Sequence, residues 1–521
     1  MITEMEKINF LLKDGSMKNI SMLEFIKLQI EEFEQSPQRH TMIEGKKYYE
    51  NENEINKKVR YYIDDNTRVA ENKFFSNYKL AHSITRKLVN QKAGFLLKQN
   101  LSVKEVLKKD QKEDEEYKNE LNEIFNSRRH KALKYTLIEA VNKGISWWQV
   151  YIDDEGKFKT RRINAEKVIP LWYDDEHEVL DAIILVYKII VYEGTEKKIV
   201  KKAEYWDSKG VRYLVYDNGD LIDDVERLEE VKESIIAKDD GDGMTLCSHF
   251  IYDNQPANWE KIPFIYFKYN FDEKPLIYYL KSLVDCYDEL TSIMADTIKD
   301  SPNGINVVTN YAEDIRKFNK NLHELNTIFL DHEGEYRRDN TSIDITAFKE
   351  FVELLRRDIY ETGAGVDTQS EKFATAQSGV ALQELFQDLD LDCSNIETEF
   401  QSSLEYFVYF VNKFLEMTTT KDYSEKEVEF IFNKSMITNE SEKITDCKNA
   451  EGQISQRTIL AHHPFVTDID SEIRQLEEEK ETEMGSYMQN ITNLNNDNDN
   501  NDTSNDDNSQ DNGGDDNEQD E

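Results

Sequence analysis

PLIYYLKSLVDCYDELTSIMADTIKD, residues 275–300, is the stretch on which the fold turns. Leu276, Leu280, Leu283, Tyr287, Leu290 and Met294 recur at alternating steps of four and three. That spacing predicts one long helix with a heptad-like apolar seam. Pro275 suits its first position, where the missing N–H costs nothing. Ser301-Pro302-Asn303-Gly304 supplies the stop. At 1.5 Å per residue the helix is a rod of about 40 Å.

A second rod follows after an excursion, with Phe348, Phe351, Val352, Leu355 and Ile359 on one face. It ends at Gly363-Ala364-Gly365, a helix C-terminal signal. The excursion 303–345 holds an apparent strand (Ile305–Val308), a helix (Ala312–Leu325) and a hairpin around Asp331–Tyr336. Two rods joined by a small α/β module make an unusual plan for an enzyme, and side-by-side copies can bury the seam. Spacing alone equally allows both rods to pack into one monomeric core.

Upstream, residues 1–40 read as polar helix, 41–60 as a loop around Gly45, and Ser76–Leu97 as an amphipathic helix. Residues 104–143 read as further helices. The period then changes. Trp147–Ile152, Phe158–Ile163, 182–192, 200–206, 211–216 and 263–270 read as strands, with Asn218-Gly219 as a hairpin turn. The β-rich stretch 145–270 thus sits between helical ones, giving an α+β chain. Downstream come a polar loop (Val366–Gln377), a long helix to about Met417 and a strand at Val428–Phe432. Helices then run to about 484. Beyond Asn490 the chain is Asn/Asp-rich and reads as disordered.

The chain has 521 residues, three or four structural units on length, and a net charge of −40. Residues 481–521 carry 13 Asp/Glu and no Lys/Arg, yet the remainder is still strongly acidic. This argues against a simple nucleic-acid binder, which needs a basic balance. Four scattered cysteines and no CxxC pair argue against a disulfide framework or structural zinc. The longest apolar stretch, Ala182–Tyr192, is broken by Lys188 and too short to span a bilayer. The N-terminus does not read as a secretory signal. There is no GxxxxGK[ST] loop, GxSxG elbow or HExxH helix. His462-His463-Pro464 reads as structural or surface, and the tail lacks the Gly and Glu of a calcium loop. Neither a cofactor nor a metal is expected, and nothing commits the chain to catalysis.

Asn77–Ile84 followed by Gln91-Lys92-Ala93-Gly94-Phe95-Leu96-Leu97 resembles a sequence block of tailed-phage portal proteins of Gram-positive hosts. Asn90 stands where an Asp is usual. Gly144–Tyr151 with Asp154-Glu155-Gly156 and Val168–Trp172, then Pro263–Phe267, resemble later blocks. So do Ser282–Asp288, Glu361-Thr362-Gly363, Ser378–Leu382, Ser455–Leu460 and Pro464–Asp468 with Glu472. The blocks keep their order over about 40–480.

The resemblance implies a ring of twelve copies at one capsid vertex of the virion, assembled in the host cytoplasm. Double-stranded DNA passes its axis, non-specifically and transiently. Residues 1–270 would form the wing, 275–301 and 346–363 the stem helices, and 303–345 the clip. Residues 366–377 would be the tunnel loop, 378–392 a connecting helix, 393–480 the crown and 485–521 an acidic tail. Implied partners are the terminase large subunit, a head–tail connector, and major capsid and scaffolding proteins. The alternative is an oligomeric assembly scaffold that conducts nothing; a further rival is a metal-dependent nuclease built on scattered carboxylates.

Within that frame the candidate channel residues are Gln369, Ser370, Glu371, Lys372, Phe373 and Gln377 in the loop, and Lys349, Arg356 and Arg357 on the second rod. Each cation equally suits a solvated face or an ion pair between subunits. Phe373 suits a wedge between neighbours. The candidate partner surface is Lys317, Lys320, Arg337 and Arg338.

Overall fold

The computed structural model describes residues 21–480 apart from 64–68, 72–74, 108–113, 154, 242, 301–304, most of 310–331, 340–344, 376–378, 420, 435–439, 467–468 and 470. The expected helix stop at 301–304, most of the helix 312–325, Gln377 and the acidic tail lie outside the described residues. The chain forms two compact units, one of residues 1–377 with 381–436, the other of 378–380 with 437–521.

The first unit segregates helices and strands, as an α+β chain does. Its largest sheet is antiparallel, in the spatial order Ile235–Ala237, Leu246–Cys247, Gly210–Asp217, Glu196–Asp207, Leu180–Glu193, Val168–Trp172. Asp220–Asp223 adds to Gly210–Asp217 across the Asn218-Gly219 turn. Both turn residues have positive φ, 49° and 93°, which Asn and Gly tolerate best. A second sheet sets Ile145–Ile152 between Phe264–Lys268 and Phe158–Ile163.

This smaller sheet is the floor of the main core. Trp148 is fully buried on it and donates its indole N–H to Thr136 Oγ1 at 2.6 Å. Phe407, on the long helix Gly379–Thr419, packs edge-on against Trp148 at 5.7 Å. The same core takes side chains from the helices Ile84–Leu96, Ser127–Lys143, Leu276–Asp300 and Ile345–Thr362. The boundary expected between 392 and 393 therefore falls inside one continuous helix.

Two expectations change. Residues 41–49, read as loop, belong to the helix Pro37–Tyr49, capped by the Ser36 side chain. Gly45 is there for contact: a Cβ would lie 1.8 Å from the Asn142 carbonyl oxygen. Residues 76–82 are extended rather than helical, and the helix starts at Ile84. Glu335–Asp339, at the end of the hairpin expected around 331–336, pairs with Ile305–Thr309, and most of 310–331 lies outside the described residues.

In the second unit, Glu440–Asn449 contacts Gln456–His462, whose N-terminus is capped by Ser455. His462 is exposed, with Nδ1 2.9 Å from the Thr458 carbonyl of its own helix. Among the described residues no helix is long and apolar enough to cross a membrane.

Candidate functional site: the two rods and the loop after them

The first rod, Leu276–Asp300, changes character along its length. Leu276, Ile277, Leu280, Val284 and Tyr287 are buried in its first half, and Asp288, Ser292 and Asp296 in its second. These polar residues step by four, so they line one face. Leu283 and Leu290 are only half-buried, so the predicted seam is not the most buried row.

The polar face is filled by the extended segment 76–82. The Ser76 N–H donates to Asp300 at 3.2 Å and the Tyr78 N–H to Asp296 at 2.6 Å. The Leu80 N–H donates to Ser292 Oγ at 3.0 Å and the His82 N–H to Asp288 at 3.0 Å. Two extended residues advance about 6.6 Å, and four helical residues about 6.0 Å. The steps match, so the segment pairs with helix side chains as it would with a strand. That is why its own backbone does not turn helical. Lys58 Nζ lies 3.3 Å and Arg60 3.4 Å from the Asp296 carboxylate, and Arg60 lies 3.3 Å from Asp300. Asn53 donates to Asp288 at 2.5 Å, and His82 Nδ1 lies 2.7 Å from it. Burial pushes the Asp300 carboxyl up, but bonds from Ser76 and Arg60 outweigh it and hold the group below its ordinary range.

The second rod, Ile345–Thr362, ends against the helix Ile84–Leu96. The positive φ falls on Ala364, at 44°, not on either flanking glycine. The glycines are required by packing: Cβ atoms on Gly363 and Gly365 would lie 2.7 and 2.1 Å from the methyls of fully buried Leu88. Gln91 then acts as a surrogate peptide group. Its Nε2 donates to the Val366 carbonyl at 2.7 Å, and its Oε1 accepts from the Val366 N–H at 3.2 Å. Gly365→Ala is expected to cost about 1–3 kcal/mol by overpacking Leu88. Denaturation of Gly365→Ala and of the relieving double variant Gly365→Ala/Leu88→Ala checks this; a double variant no better than the sum of its singles contradicts it.

Arg356 makes a bidentate pair with Asp367, at 2.7 and 2.9 Å. Burial pushes the Asp367 carboxyl up, but Arg356 and the Gln369 N–H outweigh it and hold it below its ordinary range. This clamp fixes the second rod to the start of the loop. Beyond it, the Ser370 hydroxyl donates to the Asp367 carbonyl and accepts from the Phe373 N–H. It caps a short helix, Glu371–Thr375, inside what the sequence reads as polar loop. Gln369, Glu371 and Lys372 are exposed, while Phe373 is half-buried against the main core of its own chain. Lys349 lies 4.0 Å from Glu353 and Arg357 3.8 Å from Glu361, both along their own helix and exposed. Thus the structure joins Arg356 to the loop through Asp367. Val307 pairs with Arg337 and Asn306 with Arg338 in their two-stranded sheet; Lys317, Lys320 and Arg337 are exposed.

Both rods keep large apolar side chains outward. Ile293 and Ile298 on the first, and Ile345, Phe351 and Leu354 on the second, are exposed. Sequence reading missed the ladder, the Asp367 clamp and Gln91. The signal for the first was present, as Asp288, Ser292, Asp296 and Asp300 recur at steps of four. Among the described residues no group of three or more His, Cys, Asp or Glu side chains is placed to hold a metal ion.

A family profile described as "Phage portal protein, SPP1 Gp6-like" matches residues 31–486. The portal protein of Bacillus phage SPP1 is 26% identical over 461 residues, covering 88% of this chain and 86% of the relative. The portal protein of Clostridium phage phiCD119 is 26% identical over 478 residues, covering 88% of this chain and 96% of the relative. With the profile running through both rods, the loop and the segments that hold them, the chain belongs to the SPP1 Gp6-like family of phage portal proteins.

Proposed function

We propose that copies of this chain close into a ring, a dodecamer in the virion, whose axial channel passes double-stranded DNA during packaging and ejection. The observation that carries this reading is the pair of rods with apolar side chains left outward: Ile293, Ile298, Ile345, Phe351 and Leu354. A neighbouring copy supplies the cover that one chain lacks. Family membership supports the same reading.

The charge fits passage rather than capture. Duplex DNA carries about one charge per 1.7 Å, and a strongly basic bore would hold it. A chain of net charge −40 gives a weakly repulsive one. In this reading Gln369, Glu371 and Lys372 face the duplex, with Lys349 and Arg357 as scattered cations on the second rod. Arg356 serves instead to hold the loop through Asp367. Residues 1–270 act as wing, 303–345 as clip and 393–480 as crown. The clip cations Lys317, Lys320, Arg337 and Arg338 meet the terminase large subunit during packaging and the head–tail connector afterwards. Capsid and scaffolding proteins surround the ring at its vertex. The role is structural, not enzymatic.

Negative-stain imaging of the purified full chain tests the reading. Rings with a duplex-wide hole are expected, and Ile298→Glu/Phe351→Glu reduces them to folded monomers at micromolar concentration. Compact monomers of the unmodified chain overturn the ring. Rings with a sealed centre overturn conduction and favour the scaffold alternative.

A further inference from the structure

The hairpin of Leu180–Glu193 and Glu196–Asp207 is paired along its whole length, from Ile183 opposite Trp206 to Glu193 opposite Glu196. On its other side Leu180–Glu193 is covered only as far as Leu185, by Val168–Trp172. Among the described residues the edge 186–192 has no strand beside it. Exposed strand edges are normally short, charged or interrupted by proline or a bulge. This one reads Val-Tyr-Lys-Ile-Ile-Val-Tyr, with a single charge, no proline and no register shift. Ile190 and Tyr192 are 52% and 68% exposed, and Ile199, opposite Ile190, is 62% exposed.

A basin of about 600 Å³ opens beside this edge, lined by Tyr187, Lys188 and Ile189 of the strand itself. Its cations are Arg161, Arg162, Lys167, Lys188, Lys202 and Arg227, against Glu204 and Glu230. Half of these cations are already neutralised. Lys202 pairs with Asp224 at 2.6 Å, Arg227 with Glu230 at 2.6 Å and Arg162 with Glu139 at 3.1 Å. Arg161 donates to the neutral Gln149, and exposed Lys167 and Lys188 meet no carboxylate among the described residues. A surplus of positive charge in a chain of net charge −40 thus sits beside an open row of backbone donors and acceptors.

We infer that the edge Val186–Tyr192 and its basin dock an extended segment of a partner protein that alternates apolar and acidic residues. The added strand satisfies the edge's backbone groups. Side chains alternate across a strand. One set of them covers Ile190 and Tyr192, which share their face with Lys188, and the acidic set, on the face of Tyr187 and Ile189, reaches Arg161 and Lys167. The chain's own tail beyond Asn490 has the charge but almost no apolar residues, and Asn and Asp are poor strand formers. A nucleic-acid strand offers phosphates but no peptide backbone to complete the ladder.

The probe is a fluorescein-labelled eight-residue peptide of alternating Val and Glu, titrated against the full chain by anisotropy. Saturable binding that weakens with salt is expected. Lys167→Glu weakens it roughly tenfold or more, and Lys167→Gln by less. N-methylating alternate residues of the probe abolishes binding without altering its charge. No binding up to millimolar protein overturns the inference, as does binding that N-methylation or the lysine variants leave unchanged. Tighter binding of a 12-nucleotide single-stranded DNA, lost in the same variants, assigns the basin to nucleic acid instead.

Discussion

Asp392→Ala is expected to destabilise the protein by about 3–5 kcal/mol, and Lys92→Met by no more than about 1 kcal/mol. The pair looks symmetric on paper and is not. The Lys92 side chain is fully buried, whereas that of Asp392 is 25% exposed; Nζ and Oδ2 are 2.7 Å apart. Removing the carboxylate leaves a buried ammonium with the Ala364 carbonyl, at 3.3 Å. Removing the ammonium leaves a carboxylate that still reaches water and accepts from the Tyr269 hydroxyl at 3.3 Å. Methionine also refills the apolar volume that the lysine stem occupied. The pair joins the helix Ile84–Leu96, the turn after the second rod and the long helix Gly379–Thr419. Loss of Asp392 therefore loosens the rod as well as the pair. Denaturant midpoints at one fixed protein concentration measure both variants, since assembly alters apparent stability. Equal losses in the two contradict the asymmetry.

The same junction shows what the sequence carried and what it concealed. The rods, the strands read at 147–152, 182–192 and 200–206 and the Asn218-Gly219 turn were legible because each rests on local periodicity or turn chemistry. Gly45 misled because a glycine that permits close helix approach has the same letter as one that breaks a helix. Ser76–Leu97 misled because Leu80, Ile84 and Leu88 keep helical spacing while the N–H groups of 76–82 bond elsewhere. That bonding depends on residues more than two hundred positions away, which no window sees. Arg356 left phosphate and ion pair both open in the sequence, because its partner Asp367 lies beyond the end of its own helix. The family blocks were more informative than their spacing. Gln91-Lys92 and the block Glu361-Thr362-Gly363 are far apart in sequence, yet Gln91 and Lys92 bond to Val366 and Ala364 just after that block.

Asp296→Leu should release the first rod from the segment 76–82. The substitution removes the acceptor for the Tyr78 N–H and the fully buried counter-charge for Lys58 and Arg60. Breaking a buried pair costs about 3–5 kcal/mol. Lys58 and Arg60 are 18% and 30% exposed and can turn partly to water, which places the expected loss near the lower figure. Asp296→Asn keeps an acceptor for Tyr78 and loses only the charge, so about half that cost is expected. Hydrogen exchange locates the effect: the amides of Tyr78, Leu80 and His82 lose protection together in Asp296→Leu, while those of the three-stranded sheet do not. The pH dependence has a fixed sign. Asp300 is held below its ordinary range in the folded chain, so its contribution is complete above the unfolded carboxyl value of about 4. It is lost as pH falls through the lower folded value. Protection of the Ser76 amide, corrected for intrinsic exchange, is therefore level from pH 7 to about 5 and falls below about 4. Unchanged protection of 76–82 in Asp296→Leu would mean that the ladder does not hold this segment and that the apolar contacts of the rod suffice.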